Sequence, residues 1–145
     1  MKVFAYIHPQ INTLCCALFP EAIPKGVNAQ EFDVNSPEDV ILDNGTIRVK
    51  TYAEKLNEAK QSKLSQLKTY TASLLSSTDY IITKISEAQL LNDTDQVEAL
   101  KQKYSSQLQQ RENIRVWGEQ LKQAINNATT IEELNSIEIK FEGDV

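Results

Sequence analysis

From Thr46 to Trp117 the chain runs for 72 residues without a glycine or a proline. These two residues punctuate structure most strongly, since glycine opens positive φ and proline removes a backbone donor. A stretch this long that lacks both is best accommodated by extended helix. All four prolines (Pro9, Pro20, Pro24 and Pro37) lie upstream of it. The sequence therefore divides into a β-rich head, residues 1–50, a helical body, residues 51–128, and a short closing segment, residues 129–145. The expected fold class is α+β, with a small N-terminal β-rich head, a long antiparallel helical hairpin and a short C-terminal helix and strand.

The body opens on Thr51-Tyr52-Ala53-Glu54, a capping box in which hydroxyl and carboxylate satisfy orphan backbone donors reciprocally. Apolar residues then recur at Leu67, Tyr70, Leu74, Ile81, Ile85 and Ala88, in the steps of a helical seam. Ser76-Ser77-Thr78-Asp79 interrupts that composition and offers a fresh cap. The apolar stripe keeps its phase across it, so one continuous helix is expected. Leu91-Asn92-Asp93-Thr94-Asp95 reads as the reversal, with either Asp93 and Gln96 or Asp95 and Glu98 capping the return helix. That helix carries a matching stripe: Val97, Leu100, Tyr104, Leu108, Ile114, Trp117, Leu121, Ile125 and Ala128. Folding about Asp93 places Ile85 near Leu100, Ile81 near Tyr104 and Leu67 near Gly118. Thr130-Ile131-Glu132-Glu133 is a second capping box and starts a short helix. Ile137, Ile139 and Phe141 alternate with charged residues, which predicts a terminal edge strand.

In the head, strands are expected over Lys2–Ile7, Leu14–Phe19 and Glu31–Val34. Asn35-Ser36-Pro37-Glu38-Asp39 has the form of a capped single turn. Asp43-Asn44-Gly45 joins two apolar runs, and Asn-Gly there is the signature of a hairpin whose central residues both need positive φ.

Chemistry is sparse. The formal net charge is −5, and neither the head nor the rest of the chain is basic, which argues against nucleic-acid binding. The apolar run at Leu14–Phe19 is too short to cross a membrane, and Met1–Ile7 lacks the apolar core of a signal peptide. His8 is the only histidine, and Cys15 and Cys16 are the only cysteines. They supply neither a metal cage nor a Ser-His-Asp arrangement. Four glycines at positions 26, 45, 118 and 143 build no phosphate loop. No catalytic, cofactor-binding or metal-binding residue is expected, and the chain is read as a non-enzyme. Two helices that bury one stripe each cannot close a core alone. Leu64, Leu75, Ile82 and Leu90 lie off the seam and need cover, so self-association or a partner protein is expected. Trp117 reads either as a partner-surface anchor or as a seam residue with its N–H at the edge, and the seam is favoured.

Leu74-Leu75-Ser76-Ser77-Thr78-Asp79-Tyr80 resembles the "leucine-leucine, two residues, threonine-aspartate-aromatic" phrase of small phage tail proteins of the tail fibre assembly chaperone type. The likeness extends through Val97-Glu98-Ala99-Leu100, the Arg111–Trp117 stretch and Ala128-Thr129-Thr130-Ile131-Glu132-Glu133-Leu134, covering roughly residues 35–137. Tyr80 stands where the family usually has Trp, and the proline-rich connector common after it is missing. The resemblance implies an assembly chaperone that binds a phage tail fibre or another tail protein, acting in the host cytoplasm. Its alternatives are a structural component of a phage tail or tail-like bacteriocin, and an unrelated helical interaction module. Leu75, Tyr80, Ile82 and Trp117 are the candidate partner-binding residues.

Overall fold

The computed structural model describes residues 1–143. The chain forms two compact units, Met1–Lys55 and Leu56–Val145, and its class is α+β.

In the first unit, β1 (Lys2–Ile7) lies between β2 (Leu14–Ala17) and β3 (Gln30–Asp33), antiparallel to both. Val3 and Ala5 on β1 are fully buried and cluster with Val34 and Val40, while Tyr6 is also buried, so the central strand is covered on both faces. The second strand is shorter than expected: Leu18 and Phe19 run on past it and are exposed before Pro20 opens a 3₁₀ turn. A second turn, Pro37–Asp39, is capped by Ser36, whose Oγ accepts from the Glu38 N–H. A two-stranded sheet follows, β4 (Val40–Asp43) paired with β5 (Thr46–Val49). Its loop is Asn44-Gly45, with φ of 48° and 84°, as a type I′ turn requires.

The unit boundary falls a turn into the first helix rather than at residue 50, and ion pairs tie that first turn to the hairpin. The Arg48 guanidinium takes Asp43 on Nε (2.9 Å) and grips Glu54 with both terminal nitrogens (2.9 and 2.8 Å). Lys55 pairs with Asp39 at 2.7 Å. Glu54 also completes the capping box: its Oε2 accepts from the Thr51 N–H at 2.8 Å, and its own N–H donates to Thr51 Oγ1 at 3.2 Å. The Arg48 fork, then the Thr51 N–H, hold the Glu54 carboxyl down at about 2. A depressed carboxylate stabilises the fold above its ordinary pKa, and that contribution is lost as pH falls through the folded value. Glu54→Gln should therefore melt below the parent protein at pH 6, and the difference should close as pH falls toward about 2. Paired thermal melts across that range check it.

The second unit is helical. After α1 (Tyr52–Ser76) come α2 (Asp79–Leu90), α3 (Thr94–Lys103), α4 (Ser105–Asn127) and α5 (Ile131–Ser136). The expected continuous first arm is thus broken at Ser77–Thr78. The hydroxyls of Ser76, Ser77 and Thr78 each donate to the carbonyl three residues back, and the Thr78 N–H goes to Leu75 O. Side chains that bond local backbone in this way compete with the helical ladder. The return arm is interrupted too, where Tyr104 leaves helical geometry (φ −109°, ψ 22°).

Between the arms, α2 ends in a Schellman motif. Asn92 sits in the left-handed region (φ 56°), its N–H donates to Gln89 O, and the Asp93 N–H donates to Ala88 O. Asp93, rather than Asp95, caps α3 by accepting from the Gln96 N–H at 3.0 Å. Beside this turn Ile81, Ile85 and Ala88 pack on Val97, Leu100 and Tyr104. Further from the turn Leu67 packs with Ile125, Ala128 and Leu134. Gly118 faces Thr71, one turn from Leu67: a Cβ there would stand 3.4 Å from Thr71 Oγ1. Both arms are broken between the reversal and this level, so a register counted from the turn does not carry through.

Thr130 caps α5 as expected, accepting from the Glu133 N–H, while the Glu133 carboxylate reaches back to the Thr129 N–H at 2.7 Å. The edge strand expected over residues 137–141 is not formed. Ile137 and Ile139 pack on the Leu67–Ile125–Leu134 cluster instead, and the Phe141 N–H lies 3.4 Å from Tyr70 Oη. Alternation reports that one side is buried, and here helices supply the cover without strand pairing.

Candidate functional site

The break in the first arm is occupied by one side chain from the return arm. Arg111 on α4 is buried, and its Nη1 donates to Leu75 O and to Thr78 Oγ1, both at 2.7 Å. Its Nη2 donates to Asp79 Oδ1 at 2.9 Å. The Thr78 hydroxyl itself donates to Leu75 O at 3.1 Å, so carbonyl, hydroxyl and guanidinium form a closed triangle. A broken helix leaves carbonyls without ladder partners, and a planar, multi-donor cation can take several of them at once. Arg111 Nε is buried without a partner, so the cation is held through its two terminal nitrogens. Thr78 and Asp79 thus serve as receptors for Arg111.

Beside the break, α1 and α4 leave an open groove of about 620 Å³. Leu64, Leu67, Thr71, Ala72, Leu75 and Gly118 line it with mostly apolar surface. Lys68, Arg115, Glu119 and Lys122 are exposed along its margins. The bare backbone of Gly118 and the short side chains of Thr71 and Ala72 keep it open between the leucines.

The four candidate partner-binding residues do not share one patch. Leu75 is half-buried and is the one of the four that lines the groove. Tyr80 is 48% exposed, packs edge-on against Tyr104 with ring centroids 5.8 Å apart, and has Lys84 Nζ over its ring. Ile82 is exposed on α2. Trp117 is half-buried on the seam between Tyr70 and Phe141, with centroids 5.9 and 5.5 Å away, both edge-to-face. Aromatic pairs in that geometry favour a framework role for the indole.

No protein-family model, curated protein or solved structure matches this chain.

The remaining reactive groups are dispersed. His8 Nδ1 accepts from the Gln10 N–H at 3.3 Å. Cys15 is half-buried and Cys16 is exposed, with Sγ 3.9 Å from Pro37 O. Partial desolvation, then the neighbouring Cys15, push the Cys16 thiol up, which makes it a poorer nucleophile at neutral pH. Among the described residues no three His, Cys, Asp or Glu side chains converge as metal ligands, and no helix is long and apolar enough to cross a membrane.

Sequence reasoning passed over Arg111 and the groove. Arg111 stands three residues from both Leu108 and Ile114, on the apolar stripe itself. A cation at a seam position opposite a Ser-Ser-Thr-Asp cluster was the available signal for a buried polar lock.

Proposed function

We propose that this chain is a tail fibre assembly chaperone of a phage or prophage. It would bind a folding tail fibre or related tail protein in the host cytoplasm and take part through binding, without catalysis. The observation that carries the reading is the apolar surface left uncovered on the helical unit. The groove between α1 and α4 is open, Ile82 is exposed, and Leu90 and Leu91 at the reversal are 83% and 80% exposed. Single exposed leucines are ordinary, but an open groove lined mostly by apolar side chains of two helices marks an interaction surface. The likeness of the Leu74–Tyr80 and Ala128–Leu134 phrases to tail assembly proteins supports a tail protein as the partner.

A chaperone leaves its client when assembly ends, whereas a structural tail component stays. Fibre intermediates captured before tail attachment are expected to carry this chain, and purified particles are expected to lack it. Mass spectrometry of both fractions is the check. A stoichiometric amount in finished particles would replace the chaperone with a structural tail protein.

A further inference from the structure

We propose that the groove between α1 and α4 receives an acidic amphipathic helix from the partner protein. This rests on the reading of the chain as a protein-binding module and does not require that the partner be a fibre.

Charge points to an acidic occupant. The chain as a whole is acidic, at −5, yet the groove margins carry Lys68, Arg115 and Lys122 against Glu119 alone. Two of those cations have local partners, Arg115 with Glu112 at 3.7 Å and Lys122 with Glu119 at 3.5 Å. Both are long, exposed i,i+3 pairs, which contribute little and exchange readily for a better-placed carboxylate. A local excess of cations on an acidic protein attracts carboxylates and repels a basic segment.

Backbone chemistry points to a helix. Side chains of two helices line the groove, and the helical backbone beneath them is already hydrogen-bonded. An extended segment laid there would bury N–H and C=O groups with nothing to receive them, whereas a helix satisfies its own. Two antiparallel helices with an open apolar furrow form the helix-on-helix layer that a third helix completes. Along α1 the groove runs from Leu64 to Leu75, roughly three turns at about 1.5 Å per residue.

A second copy of this chain is a poor occupant. Two-fold pairing of like grooves would bring two sets of Lys68, Arg115 and Lys122, each with one Glu119, into a single interface of net positive charge, which is repulsive.

The test uses the full chain and two synthetic fluorescent peptides of about 14 residues, long enough to span the groove as helix. Both carry leucines at helical spacing, flanked by glutamates in one and by lysines in the other. Anisotropy should show the Glu-flanked peptide binding about tenfold more tightly or better, with the difference shrinking in high salt. The double variant Lys68→Glu/Arg115→Glu should reverse the preference, because both residues are exposed and lie outside the core. Ala72→Trp should block both peptides by filling the groove, with circular dichroism showing that the helices remain. Equal binding of the two peptides, binding of neither, or a preference that survives charge reversal would overturn the proposal. So would dimers of the parent chain that Ala72→Trp converts to monomers. No fibre enters this assay, so a fibre that folds without the chain leaves its result unchanged, and failed peptide binding leaves the chaperone reading standing.

Discussion

Arg111→Ala is expected to destabilise the helical unit by about 3 kcal/mol, a loss of about 10 °C in melting temperature for a chain of this size. The substitution removes both 2.7 Å bonds to Leu75 O and Thr78 Oγ1 and leaves a void where a buried side chain stood. Leu75 O keeps the Thr78 N–H and hydroxyl, which limits the cost to less than a fully orphaned carbonyl would bring. Asp79 contributes least, because its side chain is 63% exposed while that of Arg111 is 7%. Solvent on the Asp79 side screens the pair, so Asp79→Ala should cost less than Arg111→Ala although it takes the carboxylate from a buried guanidinium. Thr78→Val keeps the shape and loses two hydrogen bonds, the one accepted from Arg111 and the one donated to Leu75 O, for about 1–2 kcal/mol. Arg111→Lys keeps the charge but cannot fork, and should fall between Thr78→Val and Arg111→Ala. Denaturant melts of the four variants establish the order. If Asp79→Ala were as damaging as Arg111→Ala, the ion pair would be the lock and the helix break incidental.

This lock explains where the sequence was readable and where it was not. Caps and turns are written locally. Thr51 with Glu54, Thr130 with Glu133, Asp93 with Gln96, and Asn44-Gly45 each act through neighbours within four residues, and each forms. The seam was readable as well, because Ile81, Ile85, Val97 and Leu100 need only the helical period to face one another. The break at Ser77–Thr78 was not. Apolar phase records which side chains face inward, not whether the backbone between them stays helical. What decides the point is local hydroxyl bonding together with an arginine more than 30 residues away. The terminal segment failed in a related way. Ile137, Ile139 and Phe141 alternate as a strand would, but their cover comes from Leu67, Ile125 and Trp117 on helices distant in sequence. The groove was not legible because its open character depends on Thr71 and Ala72, which patterning passes over as small or polar, and on Gly118, which reads from sequence as a close approach to Leu67 rather than as an opening.

The Leu74–Tyr80 segment takes part in these contacts along its length. Its Thr78 and Asp79 bind Arg111, its first leucine is half-buried, and Leu75 both lines the groove and offers its carbonyl to Arg111.

Soluble fibre yield is the direct readout of chaperone activity, and a several-fold effect is expected. A trimeric fibre must align three chains before its non-local strands pair, and its apolar surface and unpaired edges are exposed to aggregation meanwhile. A protein that covers that surface and departs on closure raises the fraction reaching the trimer. The fibre gene nearest this chain's own would be expressed with and without it, and soluble trimer measured by size-exclusion chromatography and SDS-resistant migration. The chaperone reading predicts trimer several-fold in excess when the chain is present, and insoluble fibre when it is missing. Equal yields of soluble trimer with and without the chain would contradict it.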